Sequence, residues 1–133
     1  MQFNGQIHTS VFTADMETTK AFYRDILMFE EGWSGILPDG TKLAVVQNHD
    51  MILELIEPPV YDAPQDAGPV NHIAVSTDDI EEAFRFIREK GYETEGDEIS
   101  CHEHLFGTGV RNFFFYGPNH ERVEIAQMGY VKE

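Results

Sequence analysis

Apolar and polar residues alternate in two short stretches of the chain, and after each stretch the apolar spacing changes to three and four. The alternating stretches cover residues 7–13 and 70–77. Alternation is typical of a half-buried strand, whereas spacings of three and four place apolar side chains on one face of a helix. Asp15 and Asp79 stand at the two changes of period and are suited to capping a helix. The pattern therefore predicts a strand followed by a helix, twice.

Further signals mark the start of the second helix and the ends of both helices. Glu82, three residues after Asp79, resembles the second half of a capping box, in which two side chains satisfy each other's backbone amides. The apolar periodicity fades near Phe29 in the first half and near Gly91 in the second. We expect the helices to end there.

Further strands are predicted after each helix. The segments that read as strands are Ile36–Leu37, Lys42–Gln47, Met51–Glu57, Val110–Tyr116 and Arg122–Gln127, with weaker ones near Trp33 and Thr94. Turn residues separate them at 38–40 and 117–120, and residues 101–109 read as a loop. Each half is therefore predicted to be a βαβββ module, which gives an α+β fold of two small sheets that pack together.

A proline-rich segment divides the two halves. Residues 57–70 hold four of the six prolines, and proline fixes φ and removes a backbone donor. We expect one domain over 1–133, with module one at about 6–57, a connector at 58–69 and module two at about 70–127.

The two strand-to-helix junctions repeat each other in sequence. HTSVFTADME begins at His8 and HIAVSTDDIE begins at His72, which is 72 − 8 = 64 positions later. Six residues are identical in this register, at 8/72, 11/75, 13/77, 15/79, 17/81 and 22/86. Helix capping accounts for the repeated aspartates, but it gives no reason for a repeated histidine. The repeat therefore indicates a duplication that has kept chemistry as well as structure.

Net charge narrows the range of partners. The chain carries 24 acidic and 9 basic residues, a formal charge of −15, which repels phosphate backbones and anionic lipid headgroups. Nucleic acid and membranes are therefore not expected partners. The lone Cys101 cannot form an internal disulfide, and no N-terminal apolar run follows a basic start, so a cytoplasmic location is expected.

Each half also ends on a strand that carries a glutamate between aliphatic residues. Glu54 lies in ILELI and Glu124 lies in RVEIA. A carboxylate on an apolar face is costly without a partner, and a divalent cation is one such partner. If a pseudo-twofold axis relates the halves, His8, Glu54, His72 and Glu124 meet around one ion. Nitrogen and oxygen ligands suit Ni, Zn, Co, Mn or Fe(II), and four of them leave two octahedral positions for substrate oxygens.

The chain resembles the vicinal oxygen chelate superfamily, and within it the short bacterial glyoxalase I enzymes. The resemblance lies in these four residues, in the predicted tandem βαβββ modules and in the length of the chain. The resemblance implies a curved mixed sheet around a metal site, with His8, Glu54, His72 and Glu124 as the metal ligands. It also implies a homodimer, often with metal sites assembled from both subunits. The implied activity is that of a lyase or isomerase that acts through a metal-bound enediolate, with Glu124 and Glu54 as proton carriers.

The substrate implied by the resemblance is a small molecule with adjacent oxygens. Glyoxalase I holds the carboxylates of glutathione with basic and amide side chains, but Phe12 and Pro58 stand at two of those positions here. The substrate is therefore predicted not to be linked to glutathione. Two alternatives remain open: an epimerase of the methylmalonyl-CoA epimerase type, which ILELIEPP also resembles, and a non-catalytic protein that binds an antibiotic-type molecule. The second glutamate argues against an extradiol dioxygenase.

Overall fold

The structure is a computed structural model that describes residues 1–2, 4–62 and 69–129. The chain divides into two compact units, residues 1–64 and 65–133. Half of the predicted connector, residues 63–68, lies outside the described residues. Over the part of the chain that the structure describes, neither helix has the length and apolar character needed to cross a bilayer.

The first unit contains one helix and a four-stranded sheet. Its elements are β1 (Thr9–Phe12), α1 (Met16–Asp25), β2 (Glu30–Ile36), β3 (Lys42–Asn48) and β4 (Met51–Glu57). The strand order is β1-β4-β3-β2, with β1 parallel to β4 and the other pairs antiparallel. The first strand of the module therefore lies beside the last, with Thr9 opposite Leu53 and Phe12 opposite Ile56.

The second unit repeats this arrangement. Its elements are β5 (Ile73–Ser76), α2 (Ile80–Glu89), β6 (Ser100–His102), β7 (Val110–Tyr116) and β8 (Arg122–Met128), with a 3₁₀ turn at Leu105–Gly107 between β6 and β7. The strand order is β5-β8-β7-β6, and β5 is parallel to β8. The prediction of two βαβββ modules in an α+β fold is confirmed: the described residues form two α-helices and two mixed four-stranded sheets.

Both helices begin at the predicted aspartates. The side chain of Asp15 accepts a hydrogen bond from the Thr18 amide at 3.1 Å, and that of Asp79 accepts from the Glu82 amide at 3.0 Å. The predicted reciprocal bond of the capping box, from the Asp79 amide to Glu82, is wrong, because the Asp79 amide donates to the Thr77 hydroxyl at 3.3 Å. Thr77 is closer in sequence to Asp79 than Glu82 is, and its hydroxyl is the acceptor of the Asp79 amide.

The first helix is shorter than predicted. It ends at Asp25, four positions before Phe29, although α2 ends at Glu89, close to the expected Gly91. After α1 the chain turns through Met28, whose φ is 61°, and the Phe29 amide donates to the Tyr23 carbonyl at 2.8 Å. The apolar spacing continues past the helix because Leu27 and Phe29 are buried by this turn rather than by helical packing.

The core of each unit lies between its helix and one face of its sheet. In unit one, Leu53 and Leu55 of β4 are fully buried, whereas Glu54 between them faces the other side. The other buried residues include Phe22, Tyr23, Phe29 and Val46 in unit one, and Ile80, Ile87, Phe113, Phe115, Val123 and Ile125 in unit two. The sheet face away from the helix is thus free to carry polar side chains.

The second strand of unit two, β6, was not predicted where it occurs. Ser100, Cys101 and His102 pair antiparallel with Asn112, Arg111 and Val110. Thr94, near which a strand was expected, makes only an isolated bridge to Phe115. All three residues of β6 are exposed and the strand has no apolar alternation, so no periodic pattern predicts it.

Candidate metal centre

The first predicted ligand pair meets within unit one. The Nε2 atom of His8 lies 3.4 Å from Oε1 of Glu54. Their proximity follows from the parallel pairing of β1 with β4, in which Ser10 is opposite Glu54. His8 is two residues before Ser10 and so shares its face, from which the imidazole reaches diagonally to the carboxylate.

The second pair repeats this geometry within unit two. Nε2 of His72 lies 3.1 Å from Oε1 of Glu124, and Ala74 is opposite Glu124 in the parallel pairing of β5 with β8. Ala74 is 64 positions after Ser10 (74 − 10 = 64), so the histidines are matched in strand register as well as in sequence. The side chains of His8 and His72 are 37% and 34% exposed, so both are accessible to a ligand from solvent.

The two separations are those expected between ligands of one ion. Two atoms about 2.1 Å from a common ion are about 3.0 Å apart at the octahedral right angle and about 3.4 Å apart at the tetrahedral angle. The Nε2 lone pair of a neutral imidazole and a carboxylate oxygen repel each other. A cation between the two atoms attracts both, so the interaction becomes favourable. Each pair therefore fits a divalent ion in both distance and chemistry.

The second pair is held by outer hydrogen bonds. Oε2 of Glu124 accepts from the side-chain amide of Asn112 at 2.8 Å, which leaves Oε1 directed at His72. On the other side of the imidazole, Nδ1 of His72 lies 2.8 Å from Oδ1 of Asn71. Ligating histidines commonly use their second nitrogen in this way, which fixes the ring and its tautomer.

The first pair has a simpler support. The Ser10 hydroxyl donates to Oε1 of Glu54 at 3.0 Å, so the serine and His8 converge on the same carboxylate oxygen. The side chain of Glu54 is 26% exposed, compared with 12% for Glu124. Glu54 therefore has more freedom and more water around it than Glu124.

A charged cluster flanks the second pair. Arg122, two residues before Glu124, donates from Nε and Nη2 to the two carboxylate oxygens of Glu95 at 2.7 and 2.8 Å. The Tyr116 hydroxyl donates to the same carboxylate. Hydrogen bonds from Arg122 lower the pKa of Glu95 to about 2, and the bond to Glu95 raises the pKa of Tyr116. The Arg122–Glu95 pair therefore stays charged at neutral pH.

Comparison with known proteins identifies the family. Residues 5–125 match the family model described as Glyoxalase/Bleomycin resistance protein/Dioxygenase superfamily. The chain belongs to this superfamily. The match spans both strand-to-helix junctions and all of β4, and it reaches into β8 past Glu124.

Individual members of the superfamily resemble the chain more distantly. It is 28% identical over 105 residues to the mitochondrial methylmalonyl-CoA epimerase of Bos taurus, a match that covers 73% of this chain and 60% of that protein. The chain thus matches less than two thirds of that relative's length.

Two solved structures show the same superfamily fold. A glyoxalase family protein from Enterococcus faecalis superposes with a TM-score of 0.76 at 24% identity, covering 95% of this chain and 99% of the other. The genomically encoded fosfomycin resistance protein FosX from Listeria monocytogenes, complexed with Mn(II) and sulfate ion, gives 0.74 at 20% identity over 95% and 93% of the two chains. At these identities the likeness shows the fold.

Within the described ranges, no three or more His, Cys, Asp or Glu side chains are grouped closely enough to hold a metal ion. Each unit of this superfamily member thus offers a pair of ligands. The union of His8, Glu54, His72 and Glu124 around one ion stays a prediction.

Sequence reasoning missed the residues that support the ligands. Arg122 could have been found from strand alternation, since it shares a face with Glu124 two residues later. Asn71 is adjacent to His72, but adjacency did not show that its side chain turns back to the ring. Asn112 and Glu95 come from other strands and loops, and only the pairing register brings them to the site.

Proposed function

We propose that the two His–Glu pairs together hold one divalent ion, Ni, Zn, Co or Mn, and that the protein is a glyoxalase-type lyase or isomerase. The observation that carries the proposal is the equivalent placement of the pairs, with Nε2 and Oε1 separated by 3.4 Å in one unit and 3.1 Å in the other. An octahedral ion bound by His8, Glu54, His72 and Glu124 would keep two positions open. The two units that supply them come from one chain or from the two chains of a homodimer.

The carboxylates are the proton carriers of this proposal. A bound divalent ion would withdraw electrons from two adjacent substrate oxygens and so acidify the C–H bond beside them. Glu124 or Glu54 takes the proton from that carbon, the electron pair moves into the enediolate of the substrate, and a carboxylate returns the proton to the neighbouring carbon. Asn112 holds Oε2 of Glu124, so that Oε1 stays aimed at the reacting side of the site.

Paired basic groups favour a small substrate without phosphates or multiple carboxylates. Lys42 lies 3.5 Å from Glu57, and Arg111 and Arg122 are hydrogen-bonded to Glu81 and Glu95. A cation already neutralised by a carboxylate offers little to an anionic substrate. This supports an α-hydroxycarbonyl substrate that is not linked to glutathione.

The second candidate is an epimerase of the methylmalonyl-CoA epimerase type. It is favoured by the 28% identity to the bovine enzyme, and it uses the same proton transfer beside a carbonyl. Against it stands the pairing of Lys42, Arg111 and Arg122 with carboxylates, because CoA phosphates need available cations. A non-catalytic binder of small antibiotic-type molecules is the remaining alternative, and the presence of four candidate ligands argues for catalysis.

Metal analysis followed by isotope exchange tests the proposal. Protein purified without a polyhistidine tag is expected to bind about one Ni, Co, Zn or Mn per site, and His72→Ala is expected to abolish this binding. His104→Ala, which removes an exposed histidine outside the pairs, is the matched control. The metal-loaded protein should then exchange deuterium into an α-hydroxycarbonyl compound. Metal binding without exchange would favour the binder, exchange into a CoA thioester would favour the epimerase, and absence of metal binding would contradict both enzymatic proposals.

A further inference from the structure

The guanidinium of Arg122 is held on three sides beside the second ligand pair. In addition to its two bonds to Glu95, its Nη1 donates to Oδ1 of Asn71 at 2.6 Å. Its plane lies over the ring of Phe114, with Cζ 3.7 Å from the ring centroid. Glu95 is itself anchored, because its amide donates to the Phe114 carbonyl at 2.8 Å. Arg122 is therefore a fixed donor next to Asn71.

This fixed donor decides which way the Asn71 side chain points. An asparagine amide can present either its oxygen or its NH₂ group in a given direction, and the two arrangements have nearly the same shape. A guanidinium only donates hydrogen bonds, so the atom that faces Arg122 must be the oxygen. The same Oδ1 atom lies 2.8 Å from Nδ1 of His72.

The orientation of Asn71 in turn decides the tautomer of His72. An amide oxygen cannot donate, so Nδ1 of the imidazole must carry the proton that bonds to it. A neutral ring then has its lone pair on Nε2, the atom that lies 3.1 Å from Glu124. With Asn71 reversed, its NH₂ group would donate to Nδ1, the proton would move to Nε2, and that nitrogen could not bind a cation.

Unit one provides an internal comparison, because the equivalent positions there are apolar. Ile7 precedes His8 as Asn71 precedes His72, and Ile52 precedes Glu54 by two residues as Arg122 precedes Glu124. Opposite the glutamate on the neighbouring strand, Val45 takes the place of Phe114. None of these side chains can orient an imidazole by hydrogen bonding. These positions therefore support His72 by hydrogen bonding, and their equivalents in unit one do not support His8 in this way.

We infer that Arg122 is a positioning residue that acts through Asn71 to hold His72 in the tautomer able to bind a cation, so that unit two is the prearranged half of the metal site. This inference rests on the proposed function for its consequence, metal binding, while its immediate effect, the tautomer, belongs to the metal-free protein.

Arg122→Met tests the inference, because it keeps most of the side-chain volume and removes every donor. Glu124, 3.1 Å from Nε2, favours the Nε2–H form in wild type and variant alike, so the two proteins are compared with each other. In metal-free protein at a pH where the imidazole is neutral, ¹⁵N NMR of His72 is expected to show a larger fraction of the Nδ1–H form in the wild type than in the variant. The affinity for Co²⁺ or Zn²⁺, measured by titration, is expected to fall about 10–100-fold. Arg111→Met, which removes an arginine paired with Glu81, is the matched control and should change neither reading.

A rescue variant separates positioning from a merely structural role. Asp has two acceptor oxygens, so Asn71→Asp presents an acceptor to Nδ1 whichever way the side chain is turned. In the Arg122→Met background it is expected to restore the Nδ1–H form and most of the metal affinity, although it does not restore the contacts to Glu95 and Phe114. Unchanged tautomer populations in Arg122→Met, or failure of the rescue in a variant that circular dichroism shows to be folded, would overturn the inference. If wild-type protein binds no metal, the proposed function fails, and the tautomer measurement still decides the role of Arg122.

Discussion

Glu57 joins the end of β4 to the start of α1: its Oε1 accepts a hydrogen bond from the backbone amide of Met16 at 2.5 Å. The first amides of a helix have no partner within the helix, so this carboxylate satisfies one of them. Unit two repeats the contact, with Oε1 of Gln127 accepting from the Ile80 amide at 3.0 Å. Both acceptors lie three residues after a predicted glutamate ligand, so the strand that carries the ligand also fixes the helix.

This contact gives a prediction for stability. Glu57→Ala is expected to reduce the free energy of unfolding by about 1–2 kcal/mol, because it leaves a helix amide without its charged acceptor. Glu57→Gln should lose much less, since Gln127 makes the same bond in unit two with a neutral side chain. Urea titration followed by circular dichroism measures both. Equal losses in the two variants would show that the charge of Glu57, for instance toward Lys42, matters more than the hydrogen bond.

The cap of α2 gives a second prediction. Asp79→Ala is expected to lower stability by about 1 kcal/mol, because the Glu82 amide loses its acceptor at the first turn of the helix. Asp78→Ala removes an exposed carboxylate one residue earlier, and we expect it to stay within about 0.5 kcal/mol of the wild type. Thermal melting of the two variants side by side provides the comparison. A loss in Asp78→Ala as large as that in Asp79→Ala would assign the effect to net charge instead of capping.

The Arg122–Glu95 pair predicts an acid-dependent contribution to stability. The pKa of Glu95 is lowered from 4.5 to about 2 by hydrogen bonds from Arg122, so the folded state holds the ionised form more tightly than the unfolded state does. The stabilisation is complete above the unfolded pKa and is lost as pH falls through the folded pKa.

Glu95→Gln measures this contribution. The variant should be less stable than the wild type at pH 5 and above, and the difference should shrink steadily as the pH is lowered toward 2. Glu93→Gln, which removes an exposed carboxylate two residues away, controls for the change in net charge. A difference between wild type and Glu95→Gln that does not vary over this pH range would contradict the assigned shift.

Metal removal gives the fourth prediction. If the four predicted ligands share one ion, dialysis against a chelator should lower the melting temperature, and readdition of Ni, Co, Zn or Mn should restore it. An ion that binds only the folded state stabilises that state by about 2.7 kcal/mol when its concentration is 100 times its dissociation constant. Glu124→Gln and Glu54→Gln should each abolish most of this response. Glu89→Gln, on the exposed end of α2, should respond like the wild type. A response that survives in both ligand variants would show that the ion binds elsewhere.

The sequence predicted the parts of the fold that are periodic or locally capped. Asp15 and Asp79 mark the helix starts, and the limits of β4 and β7 were predicted to the residue. The end of α1 was placed too late because the turn after it buries apolar residues at helical spacing. The strand β6 was missed because its pairing comes from β7 and not from any alternation of its own.

The two His–Glu pairs that the structure brings together could be predicted for a similar reason. His8 and His72 are repeated in one register, and each glutamate breaks an aliphatic strand, so both signals lie in short segments of sequence. The supporting contacts cannot be found in this way, because Asn112 and Glu95 act across strand pairings whose register the sequence does not specify, and Arg122 orients Asn71 across such a pairing. The sequence therefore suggested the candidate ligands, whereas the residues that orient them required coordinates.

The unequal lengths of the two units show where this architecture accepts change. His8 and Glu54 are 54 − 8 = 46 positions apart, whereas His72 and Glu124 are 124 − 72 = 52 apart. The offset between equivalent residues rises from 64 at the histidines to 69 at Val45 and Phe114 (114 − 45 = 69), and to 70 at the glutamates (124 − 54 = 70). Five of the six added residues thus precede β7, on the side of the sheet where β6 forms the outer edge. The other edge is β5, which follows His72 and pairs with β8, the strand that contains Glu124. We accordingly expect that insertion, shortening or loop grafting around residues 103–108 would leave the His72–Glu124 pair in place.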